Sequence, residues 1–362
     1  MVGRLRAAVR RKYFDIVRRT LLASDGRDIV ASAVPETWLR PPALPPALLA
    51  HSPYAFLGKA SAPGEPGPNP IFITAQFRTG STMLWNIFRH VEGCTSYYEP
   101  LNERRWFDPI ARGNWVDPTH VGVDDYWREY EGLAELGAHY RDGWTRRRLY
   151  MTEASTDLGL ERYLGGLVAG ARGTAVLQFN RVDFRLPWLR ARFPTARLIH
   201  LYRNPRDQWS SGLARPEATP RDITIDRFRP YDRFFLRAWA EDLKHHFPFL
   251  DPARREPAYR VFYYLWKLSY CFGVTYAHHS LAFESLVEDP RGELAKLMAI
   301  ADIADYDERT LVELVRPSPS GRWERYAETG WFERQEAACE EVIQASATGL
   351  PLATNFPGRT RS

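Results

Sequence analysis

The stretch that decides the fold is PIFITAQFRTGSTMLWNIFRH, residues 70–90. The β-branched and aromatic run Ile71-Phe72-Ile73 predicts a strand. After it, apolar residues recur at the three- and four-residue steps of a helix, at Met83, Leu84, Ile87 and Phe88. Between the two lies the polar loop Arg78-Thr79-Gly80-Ser81-Thr82.

Such a strand, loop and helix aim backbone N–H groups, hydroxyls and one cation at a single point, which suits a multiply charged anion such as a phosphate. Ser and Thr are also good helix N-caps, so an ordinary capped helix start gives the same pattern. The stretch by itself leaves both interpretations open.

The composition is that of an ordinary globular protein, except that nearly all of its basic residues are arginine. The chain has 362 residues, 44% hydrophobic and 26% charged, which is enough to bury a full core. All but five of its 49 basic residues are arginine, and the net charge is +5. Arginine's planar fork suits phosphate, sulfate and carboxylate, although GC-rich coding produces the same bias.

The cysteines and the hydropathy point to a cytoplasmic protein. Cys94, Cys271 and Cys339 are odd in number and far apart, which predicts neither a disulfide framework nor a metal site. No apolar run approaches the roughly 18 residues of a membrane span.

Proline and glycine mark the domain organisation. Residues 1–69 contain a basic amphipathic helix and a Pro-rich arm, and the helix either packs on the protein or contacts an anionic membrane. Residues 70–345 form the predicted catalytic domain, residues 101–170 and 215–260 are insertions in it, and residues 346–362 form a tail.

Further strands are predicted at residues 176–179, 197–202 and 279–283. The second of these runs into Arg203-Asn204-Pro205-Arg206-Asp207 and then resumes as a helix. Two strands that each end in an Arg-bearing turn are typical of a parallel sheet whose ligand lies along the carboxyl edges of the strands. The predicted fold class is therefore α/β, with a central parallel sheet flanked by helices.

The loop does not match the ATP-binding motif GxxxxGK[ST]. That motif would require Gly at position 75 and Lys at position 81, where the chain has Ala75 and Ser81. The mismatch weakens the interpretation as a Mg-dependent kinase.

The loop instead resembles the 5′-phosphosulfate loop of sulfotransferases that use 3′-phosphoadenosine-5′-phosphosulfate (PAPS). Arg203-Asn204-Pro205, with Ser211 eight positions after the arginine, is similar to that family's 3′-phosphate motif. Phe283-Glu284-Ser285-Leu286 and Ser320-Gly321-Arg322-Trp323 are similar to two later motifs, the last one typical of bacterial and carbohydrate-type members. The segments occur in the family's order over residues 70–345.

The resemblance implies the P-loop-nucleotide-kinase-like sulfotransferase fold with helical insertions, PAPS as co-substrate and no metal. It implies that the donor is bound by Arg78, Thr79, Gly80, Ser81, Thr82, Arg203, Ser211, Gly321, Arg322 and Trp323. Arg78 is also expected to stabilise charge on the bridging oxygen during transfer, because fixed arginines can replace Mg²⁺ in that role.

Glu99 is the predicted catalytic base, because carbohydrate-type members place a glutamate after the first helix. Glu103, His120 and His139 are the reserve candidates. A structural role for Glu99 remains open, as a helix cap or as a partner of Arg104 or Arg105. The chain departs from the family at Gln178, where a lysine is frequent, with Arg181 nearby.

The predicted activity is transfer of a sulfuryl group to a hydroxyl of a small-molecule or glycan acceptor held between the two insertions. No nucleic-acid partner is predicted, and the oligomeric state stays open. Two alternatives remain: a nucleotide or sugar kinase, and a non-catalytic nucleotide-binding protein whose N-terminal helix contacts a membrane or partner.

Overall fold

A computed structural model describes residues 69–317 and 321–346. The predicted N-terminal helix and Pro-rich arm, Ser320 and nearly all of the predicted tail lie outside these described residues.

The centre of the molecule is a five-stranded sheet in which every paired strand runs parallel to its neighbour. Its strands are β1 (Ile71–Ala75), β2 (Cys94–Tyr98), β3 (Thr174–Phe179), β4 (Arg197–Tyr202) and β5 (His279–Ala282), in the order β2-β3-β1-β4-β5. Ile73 of the central strand aligns with Gln178 of β3 and with Ile199 of β4. The predicted parallel α/β sheet is confirmed.

The sheet is flanked by α-helices. They are α1 (Ser81–Arg89), α2 (Pro109–Arg112), α3 (Leu158–Gly170), α4 (Leu186–Arg192), α5 (Pro205–Gly212), α6 (Leu236–Leu243), α7 (Ala258–Tyr276), α8 (Phe283–Glu288), α9 (Pro290–Ile300), α10 (Glu308–Leu314) and α11 (Thr329–Ser346). Shorter 3₁₀ turns connect several of them, including Arg128–Tyr130, Ala134–Ala138 and Arg322–Arg325.

Alternation along β1 divides the apolar core between the two faces of the sheet. Ile71, Ile73 and Ala75 pack with residues of α1, α9 and α10 in one cluster. Phe72 belongs to the larger cluster on the opposite face, which includes much of α7. Burial on both faces explains why the strand is a continuous apolar run.

Strand β2 and helix α3 are among the elements that escaped prediction from the sequence. Strand β2 has the sequence CTSYY, and only its last three residues are buried, so it lacks a clear apolar pattern. Helix α3 contains several glycines, which are poor helix formers. One of them, Gly166, lies where a Cβ would come within 2.4 Å of Leu136 Cδ2, so a larger residue there would require the Leu136 side chain to move.

The described residues include no helix that is long and apolar enough to cross a membrane. Cys94, Cys271 and Cys339 are all free thiols.

The loop glycine generates a stability prediction. Gly80 has φ +94°, and a Cβ there would lie 2.5 Å from Phe283 Cδ2, whereas Gly93 has φ +79° and open space around it. Gly80→Ala therefore adds a clash to the backbone strain, and Gly93→Ala adds strain only, of about 1–2 kcal/mol. We expect Gly80→Ala to cost about 1–3 kcal/mol more than its control.

Urea unfolding of both variants measures the difference. Equal losses of unfolding free energy would show that Phe283 gives way and that the loop tolerates a side chain.

Candidate active site

All five strands end at one edge of the sheet, and each carboxyl end carries a polar or aromatic residue of the site. Glu99 follows β2, Asn180 and Arg181 follow β3, the loop with Arg78 follows β1, Arg203 follows β4 and Phe283 follows β5. The strand order therefore places the Arg78 loop centrally, with Glu99 towards one side and Arg203 towards the other.

The loop of residues 76–80 is held in a tight, left-handed conformation. Arg78 has φ 67° and Gly80 has φ 94°. The Thr79 hydroxyl donates to the Gln76 carbonyl over 2.8 Å, so this side chain closes the loop from within. Helix α1 makes its first backbone bond from Met83 N to Gly80 O, at 3.0 Å. The N–H groups of Ser81 and Thr82 precede that bond and have no partner inside the helix.

The two predicted anion sites are adjacent. Arg78 Nε donates to Ser211 Oγ over 3.1 Å, and Arg203 Nη1 donates to the Arg78 carbonyl over 3.3 Å. Ser211 lies on α5, the helix that Arg203 and Asn204 introduce. The structure thus brings the loop after β1 together with the turn after β4.

Aromatic side chains support Arg203. Its guanidinium carbon lies 4.8 Å from the centroid of the Phe283 ring, and Trp266 Nε1 donates to the Arg203 carbonyl over 2.9 Å. The same Phe283 ring occupies the space beside Gly80. Phe283 therefore contacts both halves of the candidate anion site.

The segment at residues 321–323 contributes a third arginine. Burial raises the pKa of Asp207, and the nearby backbone N–H groups of Gly321 and Arg322 oppose that rise, so this segment lies close to α5. Arg322 itself is exposed. Trp323 packs against Phe332 at a centroid distance of 5.5 Å and beneath Arg206 at 5.4 Å, so its ring contacts α5 and α11.

These arginines lie close enough to influence one another's protonation. Burial lowers the pKa of Arg203, Asp207 and Glu284 raise it, and Arg78 and Arg322 lower it again. Burial likewise lowers the pKa of Arg78, with a further decrease from Arg233 and Arg322 that Asp117 opposes. Mutual repulsion between cations is relieved by a bound anion, so the cluster fits a phosphate or sulfate ligand.

Glu99 lies in a buried polar network. Its carboxylate accepts hydrogen bonds from Asn102 Nδ2 and Asn180 Nδ2, both at 2.6 Å, and from Arg181 Nη1 at 2.7 Å. The Glu99 and Arg181 side chains are 6% and 2% exposed, so the ion pair is shielded from water. Glu99 also has φ 38°, a strained conformation of the kind that clusters at functional sites.

Glu99 forms its ion pair with Arg181, which follows β3. It does not pair with Arg104 or Arg105, the two partners considered from the sequence. Arg104 lies over the Trp115 ring at 4.8 Å, and Arg105 pairs with Asp142 at 3.1 Å. Gln178, which replaces the family's lysine, donates to Asn180 over 2.6 Å and so extends the Glu99 network into the sheet.

Tyr98 and His120 link this network to the loop. The Thr82 hydroxyl lies 3.1 Å from the Tyr98 hydroxyl and 3.4 Å from His120 Nε2. Burial raises the pKa of Tyr98 well above its usual range, and the Glu99 carboxylate adds to the shift. Burial also lowers the pKa of His120, so its ring is neutral at pH 7.

The other reserve bases are placed differently. Glu103 bonds the second terminal nitrogen of Arg181 at 2.7 Å, with its side chain 43% exposed. His139 lies at the end of the 3₁₀ turn Ala134–Ala138. Of the reserve candidates, His120 is the one in contact with the loop.

Sequence reasoning missed Asn102, Asn180 and the role of Arg181. Asn180 and Arg181 could have been found from the sequence, because they directly follow a predicted strand. Arg203 likewise directly follows a predicted strand, and Arg78 lies a few residues beyond one. The rule that ligands gather at the carboxyl ends of parallel strands applies to all of them.

Comparison with known proteins identifies the family. A sequence model described as "Sulfotransferase family" matches residues 70–266, more than half of the chain. The protein belongs to the sulfotransferase family. A search of curated proteins found no significant match.

Similar solved structures include a sulfotransferase domain from the curacin biosynthetic pathway, 16% identical, with a TM-score of 0.37 and coverage of 80% of this chain and 94% of that one. Another is the sulfotransferase STF9 from Mycobacterium avium, 14% identical, with a TM-score of 0.41 and coverage of 86% and 82%. Similarity this low says nothing about which acceptor this chain uses.

Proposed function

We propose that this protein transfers a sulfuryl group from PAPS to the hydroxyl of an acceptor. The observation that carries the proposal is the position of the Arg78 loop, between the Glu99 carboxylate network and the Arg203 site at one edge of the sheet. An anion loop flanked by a carboxylate and by a second cation site matches the needs of sulfuryl transfer from a doubly phosphorylated donor.

The donor carries charge at two separate positions. The N–H groups at the start of α1, the Ser81 and Thr82 hydroxyls and Arg78 would bind the 5′-phosphosulfate. Arg203, Ser211 and Arg322 would bind the 3′-phosphate. ATP lacks a 3′-phosphate, so this second group of residues favours PAPS over ATP.

In the proposed reaction the acceptor oxygen forms a bond to sulfur while the bond from sulfur to the 5′-phosphate oxygen breaks. The electron pair of the broken bond stays on the phosphate oxygen, where the guanidinium of Arg78 stabilises the added charge. The hydroxyl proton passes to the base, for which we propose Glu99.

The hydrogen bonds around Glu99 suit a base that must be held in one orientation. A carboxylate offers about four acceptor positions, and Asn102, Asn180 and Arg181 fill three of them. The rigid network fixes the direction of the remaining lone pair. Tyr98, whose hydroxyl lies 3.1 Å from the Thr82 hydroxyl and whose pKa the Glu99 carboxylate raises, connects the network to the proposed sulfate-binding loop.

Donor binding can be measured with 3′,5′-adenosine bisphosphate, the product left after transfer. At a concentration a hundredfold above its dissociation constant it should stabilise the wild-type protein by about 2.7 kcal/mol. Arg203→Ala should weaken binding by about 2–5 kcal/mol, because a buried charge would lose its partner. Thermal shift and calorimetric titration measure both effects.

Arg309→Ala is the matched control, since the Arg309 side chain is 89% exposed and pairs with Glu313 on the same helix. It removes the same charge and should leave binding unchanged. Stabilisation by ATP-Mg with none by the bisphosphate would contradict the donor assignment and favour a kinase.

Glu99 and Glu103 both bond Arg181, so variants of these two residues test whether Glu99 is the base. Glu99→Gln should lower kcat by about 10²–10⁴ while bisphosphate binding persists, because general base catalysis typically contributes that factor. Glu103→Gln alters the other carboxylate on Arg181 and should change kcat little. Single-turnover assays with radiolabelled PAPS separate the chemical step from binding.

Unfolding curves must accompany the kinetics, because Glu99→Gln also weakens a buried ion pair. A folded Glu99→Gln variant that transfers at the wild-type rate would exclude Glu99 as the base, and a loss in His120→Asn would then assign the role to His120.

A further inference from the structure

A pocket opens beside Arg78, on the face of the sheet that also carries α7. Its empty volume, including the mouth, is about 560 Å³. The loop residues Gln76, Phe77 and Arg78 form one wall, the end of α5 forms a second and residues 228–239 form a third. We refer to it as the aromatic pocket.

The walls of the aromatic pocket are apolar. Aromatic and aliphatic side chains provide most of the lining, among them Phe77, Phe228, Phe234, Leu236, Trp239 and Leu265. The Phe77 ring stacks on Phe234 at a centroid distance of 5.0 Å and lies 5.6 Å from Trp239. These contacts hold the walls in place.

The polar groups in the lining are largely occupied by one another. Gln208 Nε2 donates to Gln76 Oε1 over 3.1 Å, and Gln76 Nε2 donates to the Leu265 carbonyl over 3.0 Å. Asp232 accepts hydrogen bonds from the backbone at the start of α6. Gln208, which is 2% exposed, keeps one buried oxygen, Oε1, that accepts no hydrogen bond from any described residue.

The aromatic pocket also adjoins the catalytic groups. Arg78 belongs to its lining, and the guanidinium of Arg181, the partner of Glu99, lies 4.9 Å from the centroid of the Phe77 ring. A molecule in the pocket would therefore be next to the sulfate-binding loop.

We propose, building on the sulfotransferase function proposed above, that the aromatic pocket binds the apolar body of the acceptor. The acceptor class is a compound with an aryl or alkyl body and few hydroxyls, one of which receives the sulfuryl group. The sequence alone leaves a small-molecule acceptor and a glycan acceptor both open.

The chemistry of the lining favours this class over a sugar. A sugar placed among these rings and aliphatic groups would leave most of its hydroxyls without partners, which costs binding free energy. An apolar body gains from leaving water, and predominantly apolar and aromatic walls are the usual lining of small-molecule sites.

Gly212 offers a way to fill the pocket. It lies at the end of α5 in the lining, and a Cβ there would meet only the Phe234 ring, at an ordinary contact distance of 3.7 Å. Gly212→Leu should therefore fill the pocket, and Gly212→Ala is the matched control that adds one methyl group.

The experiment titrates full-length wild type and both variants with 2-naphthol, 1-hexanol and methyl α-glucoside by calorimetry, with and without 3′,5′-adenosine bisphosphate. We expect 2-naphthol or 1-hexanol to bind the wild type and Gly212→Ala, and to bind Gly212→Leu at least about tenfold more weakly. Bisphosphate should stabilise all three proteins equally and should not displace the apolar probe.

The assignment would be overturned if neither apolar probe bound, if the probes bound Gly212→Leu as tightly as the wild type, or if the glucoside bound and Gly212→Leu weakened that binding. Displacement of the probe by bisphosphate would also overturn it, by assigning the pocket to the donor's base. If the bisphosphate stabilised none of the proteins, the proposed donor would be contradicted. That outcome is distinct from the results above, which concern the pocket.

Should Gly212→Leu lower the Tm, Phe234→Asn tests the pocket from the opposite wall. Phe234 is only partly buried, so the substitution is tolerable, and the polar amide should weaken binding of the apolar probes by a similar factor.

Discussion

The burial of arginine side chains at one edge of the sheet is the constraint on which this site depends. Burial lowers the pKa of Arg78 and of Arg203, and the charge of Arg322 lowers both pKa values further. Asp207, Glu284 and Asp117 offset part of this cost. A bound polyanion that spans these arginines would offset the rest of the cost, which is the physical reason that the cluster suits an anionic ligand.

The parts of the fold that sequence could predict were those with strong local patterns. The apolar run of β1 and the Arg-bearing turns after β1 and β4 predicted the parallel sheet, which the structure confirms, and the edge at which a ligand is expected. Strand β2 and helix α3 lack such patterns. Two polar residues near the start of β2 and four glycines in α3 are tolerated because tertiary contacts, not local propensity, stabilise these elements.

The same distinction applies to the site. Arg78 and Ser211 were predictable as separate motifs, but their direct hydrogen bond depends on how β1 and β4 pair. The Glu99 network joins the end of β2 to the end of β3. Glu99 and Arg181, which are bonded in it, lie about 80 residues apart in the chain. Long-range pairing of this kind leaves no periodic trace in a single sequence. The aromatic pocket is likewise formed by separate segments of the chain, among them residues 76–78, 228–239 and part of α7.

Phe283 has a consequence for how sequences of this type can diverge. Its ring fills the space that only a glycine at position 80 leaves free, and it supports the guanidinium of Arg203. A smaller residue at 283 would admit a side chain at 80 but would remove the support of Arg203. Positions 80, 203 and 283 are therefore structurally coupled, and a substitution at one of them changes what the other two can tolerate.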